Sequence, residues 1–289
     1  MQARFLLSPA GSGKTFRCLT EARQDLLRSP DGPPLLFVTP RQTTYQIERR
    51  ILADPTLEGY TRLHVLSFER LAGFVFELLK RPRPDALGEQ GRLMVLRALL
   101  AKHRSKLKVF RASARLAGFS AQLSSVLQEF QRNQLTPAVL KETVAKVKNL
   151  EGLAWKLQDL ASILDLYTQW LNEHGLKDAD SLLGLAAEEL QRLPSNPDLF
   201  DPASRVQIAR LWVDGFAEFS PQELAILTSL AALCKEMTIT FSLDRVPHEK
   251  SSWLKARSLL ESAFLNVSII ESVTYLRAPH MRPAPFAVS

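Results

Sequence analysis

Ser8-Pro9-Ala10-Gly11-Ser12-Gly13-Lys14-Thr15, entered from the apolar run Phe5-Leu6-Leu7, is the stretch whose reading decides the fold. It follows the phosphate-loop pattern G-x-x-x-x-G-K-[ST] at every position except the first, where Ser8 stands for glycine. The chemistry of the pattern sits in the later residues. Gly11 and Gly13 let the backbone curl, so that the successive N–H groups of Ala10, Gly11, Ser12 and Gly13 turn toward phosphate oxygens. Lys14 supplies a point charge for the β and γ phosphates, and Thr15 offers a hydroxyl to Mg²⁺. A buried strand feeds the loop and a helical pattern leaves it, as a working loop of this kind requires. A nucleotide-phosphate site is therefore expected, with an empty structural relic of the loop as the bland alternative.

Outward from the loop the pattern alternates. Ala3 to Leu7 reads as strand, Lys14 to Leu27 as helix, Leu35 to Val38 as strand and Thr43 to Leu52 as helix, with Ile47, Ile51 and Leu52 inward. Leu63 to Leu66 is a third strand, and Ser67 is a natural N-cap for a helix carrying Phe68, Leu71, Val75 and Leu78. Such alternation predicts a parallel sheet with helices on its faces and ligands at the carboxyl ends of its strands. The connections there, the loop itself, Thr39 to Gln42, and Ser67-Phe68, are polar or cationic.

From about residue 82 to 204 the strand signal gives way to helix, at Glu89 to Leu100, Ala114 to Phe130, Gly152 to Leu171 and Asp178 to Leu193. Leu116, Phe119, Leu123, Val126 or Leu127, and Phe130 form one expected apolar face; Leu153, Leu157, Leu160, Leu164, Tyr167 and Leu171 form another. Trp155 and Trp170 are expected in that core. The Pro-rich run from Pro194 to Pro202 reads as a boundary loop.

The net charge of +7 on 289 residues directs attention to polyanions. It is concentrated. Between Lys80 and Arg115 eleven Lys or Arg, among them Arg92, Arg97, Lys106, Lys108 and Arg111, face only Asp85 and Glu89, with Phe110 almost the only aromatic between them. A surface that tracks phosphates has this composition, whereas one that stacks bases interleaves several aromatics. A merely solvated helix face has it too. Two lone cysteines, Cys18 and Cys234, read as buried thiols in a reducing compartment rather than as a metal cluster. The amino terminus lacks a signal-peptide pattern and no window reaches the roughly 18 apolar residues of a membrane helix, which argues for the cytoplasm and no membrane partner.

The sheet resumes with the strand Ile208 to Val213, ending at Asp214. Ser220, Pro221 and Glu223 then form a capping-box start to the next helix. Met237 to Leu243 alternates as a strand ending at Asp244, a helix spans about Ser251 to Phe264, a strand lies near Val267 to Ile270, and 278–289 reads as a Pro-rich tail or truncation point. An apolar strand ending in Asp214, returning after a long insertion, sits where a P-loop NTPase carries its Walker-B aspartate, the partner of Mg²⁺.

The phrases Ser8 to Thr15, Leu36-Phe37-Val38-Thr39-Pro40-Arg41-Gln42, Leu66-Ser67-Phe68-Glu69-Arg70-Leu71 and Trp212-Val213-Asp214-Gly215-Phe216-Ala217-Glu218-Phe219-Ser220-Pro221-Gln222-Glu223 resemble consecutive motifs of superfamily 1 helicases. More closely, they resemble the amino-terminal helicase-like region of AddB, the B subunit of the bacterial AddAB helicase–nuclease. The resemblance implies a RecA-like P-loop domain over 1–80 and 205–277, interrupted by a helical insertion subdomain over 81–204. It also implies ATP and Mg²⁺ as ligands, DNA and an AddA-type subunit as partners, and a place in break-end processing and recombinational repair. By the family pattern Thr39, Arg41, Gln42, Ser67 and Phe68 fall on segments that contact single-stranded DNA, and the basic helices with Arg97, Lys106, Lys108 and Arg111 would face duplex.

Two departures weaken the engine. Active motors follow the aspartate with a glutamate that activates water, and here that position is Gly215; the γ-phosphate-sensing glutamine is replaced by Ala217, and no glutamine follows Asp244. Nucleotide binding with weak or no hydrolysis is therefore expected. A scaffold with a vestigial loop is the alternative. A small-molecule P-loop kinase would need an arginine-rich lid beside a substrate acid, and no such pair is found.

Overall fold

The structure is a computed structural model, and it describes residues 2–147, 150–193, 207–242 and 270–275. Its described residues divide into two compact units, one within Met1–Leu79, Leu190–Phe219 and Leu224–Ser289, the other within Lys80–Glu189 and Ser220–Glu223.

In the first unit the strands are β1 (Gln2–Ser8), β2 (Leu35–Val38), β3 (Leu63–Leu66), β6 (Ile208–Val213), β7 (Cys234–Ser242) and β8 (Ile270–Tyr275). The helices are α1 (Lys14–Arg28), α2 (Thr44–Leu52) and α3 (Phe68–Leu78), and most of α9 (Pro221–Ala231) also belongs here. All strands run parallel in the order β3-β2-β6-β7-β1-β8. This is an α/β architecture with a helix-flanked parallel sheet, compatible with the RecA-like expectation.

Strand periodicity assigns the two faces. Leu6, Leu35, Phe37, Leu63, Val65 and Trp212 bury one face against Cys18, Leu19, Ala22 and Leu26 of α1 and Ile47 and Ile51 of α2. Aromatics hold the other: Phe5 and Phe241 lie 6.2 Å apart, Phe219 meets Phe241 edge-on, and Phe68 packs 4.9 Å from Phe216. Leu52, expected inward, is instead exposed at the last turn of α2. Both cysteines are buried and free; burial pushes the Cys18 thiol up, and Cys234 up to about 12, so neither is a thiolate at neutral pH.

Glu21 of α1 ties that helix to the sheet. It accepts from Trp212 Nε1 at 3.2 Å and from Arg17 Nε at 3.2 Å, and it pairs with Arg4. Burial opposes its charge, but the Arg4, Trp212 and Arg17 donors outweigh that and hold its pKa below the ordinary 4.5. A depressed carboxylate pKa stabilises the fold above the unfolded value and loses that contribution as pH falls through the folded one. Urea unfolding between pH 7 and pH 3 is therefore expected to show the wild type losing more stability below about 4.5 than Glu21→Gln; parallel pH profiles would contradict it.

The second unit is helical: α4 (Glu89–His103), α5 (Ala117–Arg132), α6 (Pro137–Lys146), α7 (Glu151–Glu173) and α8 (Leu182–Gln191), with the two-residue parallel strands β4 (Ala86–Leu87) and β5 (Lys177–Asp178). The sequence pattern does not show that strand pair, nor was α6 expected, although Thr136-Pro137 announces it: Thr136 Oγ1 accepts from Val139 N at the cap. Val95, Leu96, Leu100, Leu123, Leu127, Leu140, Ile163, Leu164 and Tyr167 build the core of this unit. Leu116 and Leu153, expected inward, are exposed, and so is Trp155, which lies outside the core assigned to it.

Arg92 is the largest revision. The charge run places it on the phosphate-tracking face, yet it is 1% exposed and donates to Asp178 at 2.9 Å and Asp180 at 2.6 Å, while Tyr167 Oη donates to Asp178 at 2.7 Å. The capping box at Ser220 is present, with Ser220 N donating to Glu223 Oε2 at 2.7 Å. The boundary loop 194–202, Asp244, the helix at 251–264 and the tail at 278–289 lie outside the described residues, as does the expected strand at 267–270 except its last residue.

Candidate functional site

The loop between β1 and α1 turns on two glycines in left-handed backbone, Gly11 at φ 77° and Gly13 at φ 90°, the latter the N-cap of α1. A side chain is strained at either φ. The space beside both is open, since a Cβ added at either would meet nothing within 4 Å. Lys14 Nζ curls back over the loop, donating to Ser8 O at 2.8 Å, Pro9 O at 2.9 Å and Ser8 Oγ at 3.3 Å. Ser8, the residue in place of the first glycine, also bonds Ser12 through its hydroxyl. Burial lowers the Lys14 pKa from 10.5, and the Asp214 carboxylate partly counters this.

Strand register brings the remaining groups together. Trp212 of β6 pairs with Thr238 of β7, and Leu6 of β1 pairs with Thr240, so Asp214, one pleat beyond Trp212, falls beside Thr240 on the α1 face. Thr240 Oγ1 donates to Asp214 Oδ1 at 2.6 Å, and Thr15 Oγ1 donates to Asp214 Oδ2 at 2.7 Å. A buried carboxylate thus holds one hydroxyl on each oxygen, beside an ammonium, at the carboxyl end of the sheet. Sequence reasoning missed Thr240. Its signal was there: Thr238 and Thr240 are the polar side of an alternating strand whose two faces are both covered.

After Asp214 the backbone turns through Gly215 at φ 90°. A Cβ at that position would stand 3.1 Å from Pro40 Cδ and 3.6 Å from Thr39 Oγ1. The position directly after Asp214 is therefore built around glycine, and the β2 loop presses against it.

The expected DNA-contact residues separate into two sets. Arg41 and Gln42 are exposed, with Arg41 pairing to Glu69 at 3.4 Å. Thr39 is buried and bonds Thr43 Oγ1 at 2.8 Å, and Ser67 is buried as the N-cap of α3, accepting from Arg70 N. Phe68 is buried in the aromatic cluster and offers no ring face to a base. In the helical unit all the cations from Lys80 to Arg115 except Arg92 are exposed, Arg97, Lys106, Lys108 and Arg111 among them. Arg97 Nε reaches Ser120 Oγ at 3.3 Å. Among the described residues no helix is long and apolar enough to cross a membrane.

Residues 5–260 match the family model described as ADDB, N-terminal. The chain belongs to the AddB amino-terminal family. Among curated proteins it is 35% identical over 99% of its length to the B subunit of the ATP-dependent helicase/deoxyribonuclease of Heliobacterium modesticaldum, covering 23% of that protein. It is 37% identical to the protein of the same name from Desulforudis audaxviator over 84% of this chain and 20% of that one, and 32% identical to that of Anoxybacillus flavithermus over 96% and 24%. The chain therefore spans less than a quarter of the length of these AddB-type relatives. Their shared name makes them subunits of a helicase/nuclease, which implies a partner subunit.

Proposed function

We propose that this AddB-family chain is the helicase-like amino-terminal region of a DNA helicase/nuclease subunit. In this reading it binds ATP with Mg²⁺ and DNA during double-strand break processing and recombinational repair, beside an AddA-type subunit, and has weak or no ATP hydrolysis of its own. The observation that carries it is the Thr15–Asp214 hydrogen bond at the foot of the loop, with the Lys14 ammonium close enough to feel the Asp214 carboxylate and Gly215 in left-handed backbone next in the chain. The residues fit the ligand: a hydroxyl and a carboxylate are the hard oxygen donors that Mg²⁺ takes, and the open side of Gly11 and Gly13 leaves a phosphate room to reach backbone N–H groups.

In this reading Lys14, freed from Ser8 and Pro9, would neutralise phosphate charge, and Thr15 and Asp214 would hold the ion. ATP, when bound, would supply the negative charge that the Lys14 ammonium meets. The position directly after Asp214 is Gly215, with no carboxylate to take a proton from an attacking water, so in this reading turnover lacks its base. The helical unit acts as an insertion subdomain whose exposed cations face duplex phosphates, and Arg41 and Gln42 meet single-stranded DNA.

The scaffold reading is favoured by one observation, that Lys14 spends its donors on Ser8 and Pro9. ATP turnover measured with and without single-stranded DNA tests the weak-engine reading. We expect little or no turnover in either case. Robust DNA-stimulated turnover that Asp214→Ala abolishes would overturn it.

A further inference from the structure

The basic segment and the aromatic that it lacks in sequence meet in the folded helical unit. Phe110, the aromatic within the segment, is half-buried against the core and packs 5.2 Å from Phe119, so its ring is engaged within the unit. Trp155 comes from α7, 47% exposed, with Lys108 Nζ over its ring at 6.0 Å. One turn further along α7, the buried carboxylate of Asp159 accepts from the backbone N–H of Lys108 at 2.9 Å, Val109 at 2.8 Å and Phe110 at 3.0 Å. Three backbone donors on one carboxylate fix the 108–110 turn onto α7 and hold Lys108 beside the indole. Lys106 and Arg111 flank the turn and are exposed.

We propose that Trp155 is a stacking platform for one unpaired base, with Lys106, Lys108 and Arg111 holding the phosphates of the same strand. A rigid indole at the edge of a cationic turn has the two parts that single-strand sites combine, a π-face and a backbone-tracking charge. A duplex keeps its bases stacked on one another and offers the indole nothing. The helical unit thereby takes single-stranded DNA, such as an overhang or a frayed end, and not only duplex. This rests on the reading that the basic segment holds DNA.

The test uses the 289-residue chain with fluorescein-labelled oligo(dT) and a duplex of equal length, across a salt series. Trp155→Ala is expected to weaken oligo(dT) binding roughly 5- to 100-fold while changing duplex binding less than about twofold. Trp155→Phe is expected to keep most of the affinity and to lose part of the intrinsic-fluorescence quench on oligo(dT) binding. The triple variant Lys106→Ala, Lys108→Ala, Arg111→Ala is expected to weaken both DNAs and flatten the salt dependence by roughly 2–3. If the triple variant weakens both but Trp155→Ala weakens neither, the platform is overturned and the DNA reading stands. If Trp155→Ala weakens both equally, the indole only positions Lys108 and the platform is overturned. If the triple variant changes neither, the DNA reading of the segment falls with it. Trp155 is a surface residue, and equal melting temperatures of Trp155→Ala and wild type confirm that folding is not the cause.

Discussion

Gly215→Glu, which places a carboxylate directly after Asp214, is expected to leave ATP turnover at the wild-type level and to cost about 1–3 kcal/mol of stability. Two effects add. Position 215 sits at φ 90°, where a side chain is strained, and its Cβ would stand 3.1 Å from Pro40 Cδ, a contact tighter than ordinary packing. Relieving that strain and contact shifts the turn or Pro40, so a carboxylate added at 215 is not held in a fixed place beside Thr15 and Asp214. Gly215→Ala separates the effects, because it carries the backbone strain without the carboxylate; it is expected to lose a similar amount in urea unfolding. DNA-stimulated turnover in Gly215→Glu at unchanged stability would show that the missing glutamate alone silences the site.

Arg92→Ala is expected to destabilise the helical unit by about 3–5 kcal/mol, a large share of the roughly 5–15 kcal/mol that holds a typical domain. The guanidinium is 1% exposed and is the cation facing Asp178, itself buried and also bonded by Tyr167. Truncation leaves a carboxylate charge in a site closed to water. Tyr167→Phe removes one hydrogen bond from the same network and is expected to cost only about 1 kcal/mol. Urea unfolding followed by far-UV circular dichroism checks both. Arg92→Ala within about 1 kcal/mol of wild type would mean that Asp178 is reached by water.

The fold was largely legible because its signals are local. Strands β2, β3 and β6 fall at their expected residues, and the Ser67 and Ser220 caps are present, since a four-residue apolar run or a capping serine depends on its neighbours in sequence. Lys14, Thr15 and Asp214 were legible as a set because the loop pattern fixes two of them and the end of an apolar strand marks the third. What was not legible depends on which side of an element faces a partner far away in sequence. Arg92 and Arg97 look alike in a charge run, and only the fold, which pairs Asp178 of β5 with Leu87 of β4 just ahead of α4 and brings Arg92 onto its carboxylate, separates a buried ion pair from a surface cation.

Trp155, expected in the helical core, lies at the surface for the same reason. An apolar face read from spacing extends to the first turn of α7, whereas the packing does not, and Asp159 pins the basic turn beside the ring that is left over. Phe68 carries the family phrase for a DNA-contact segment, yet its ring fills the aromatic cluster, leaving Arg41 and Gln42 as the exposed members of that set. Gly215 was legible as a missing base, and not as a backbone position that resists one.

Binding of Mg²⁺-ATP to the wild type and to Lys14→Ala, followed by equilibrium titration with labelled nucleotide up to millimolar concentration, tests the central claim most directly. Saturable binding by the wild type that is lost in Lys14→Ala is the predicted result. No binding by the wild type at millimolar ATP, or equal binding by both proteins, would contradict it.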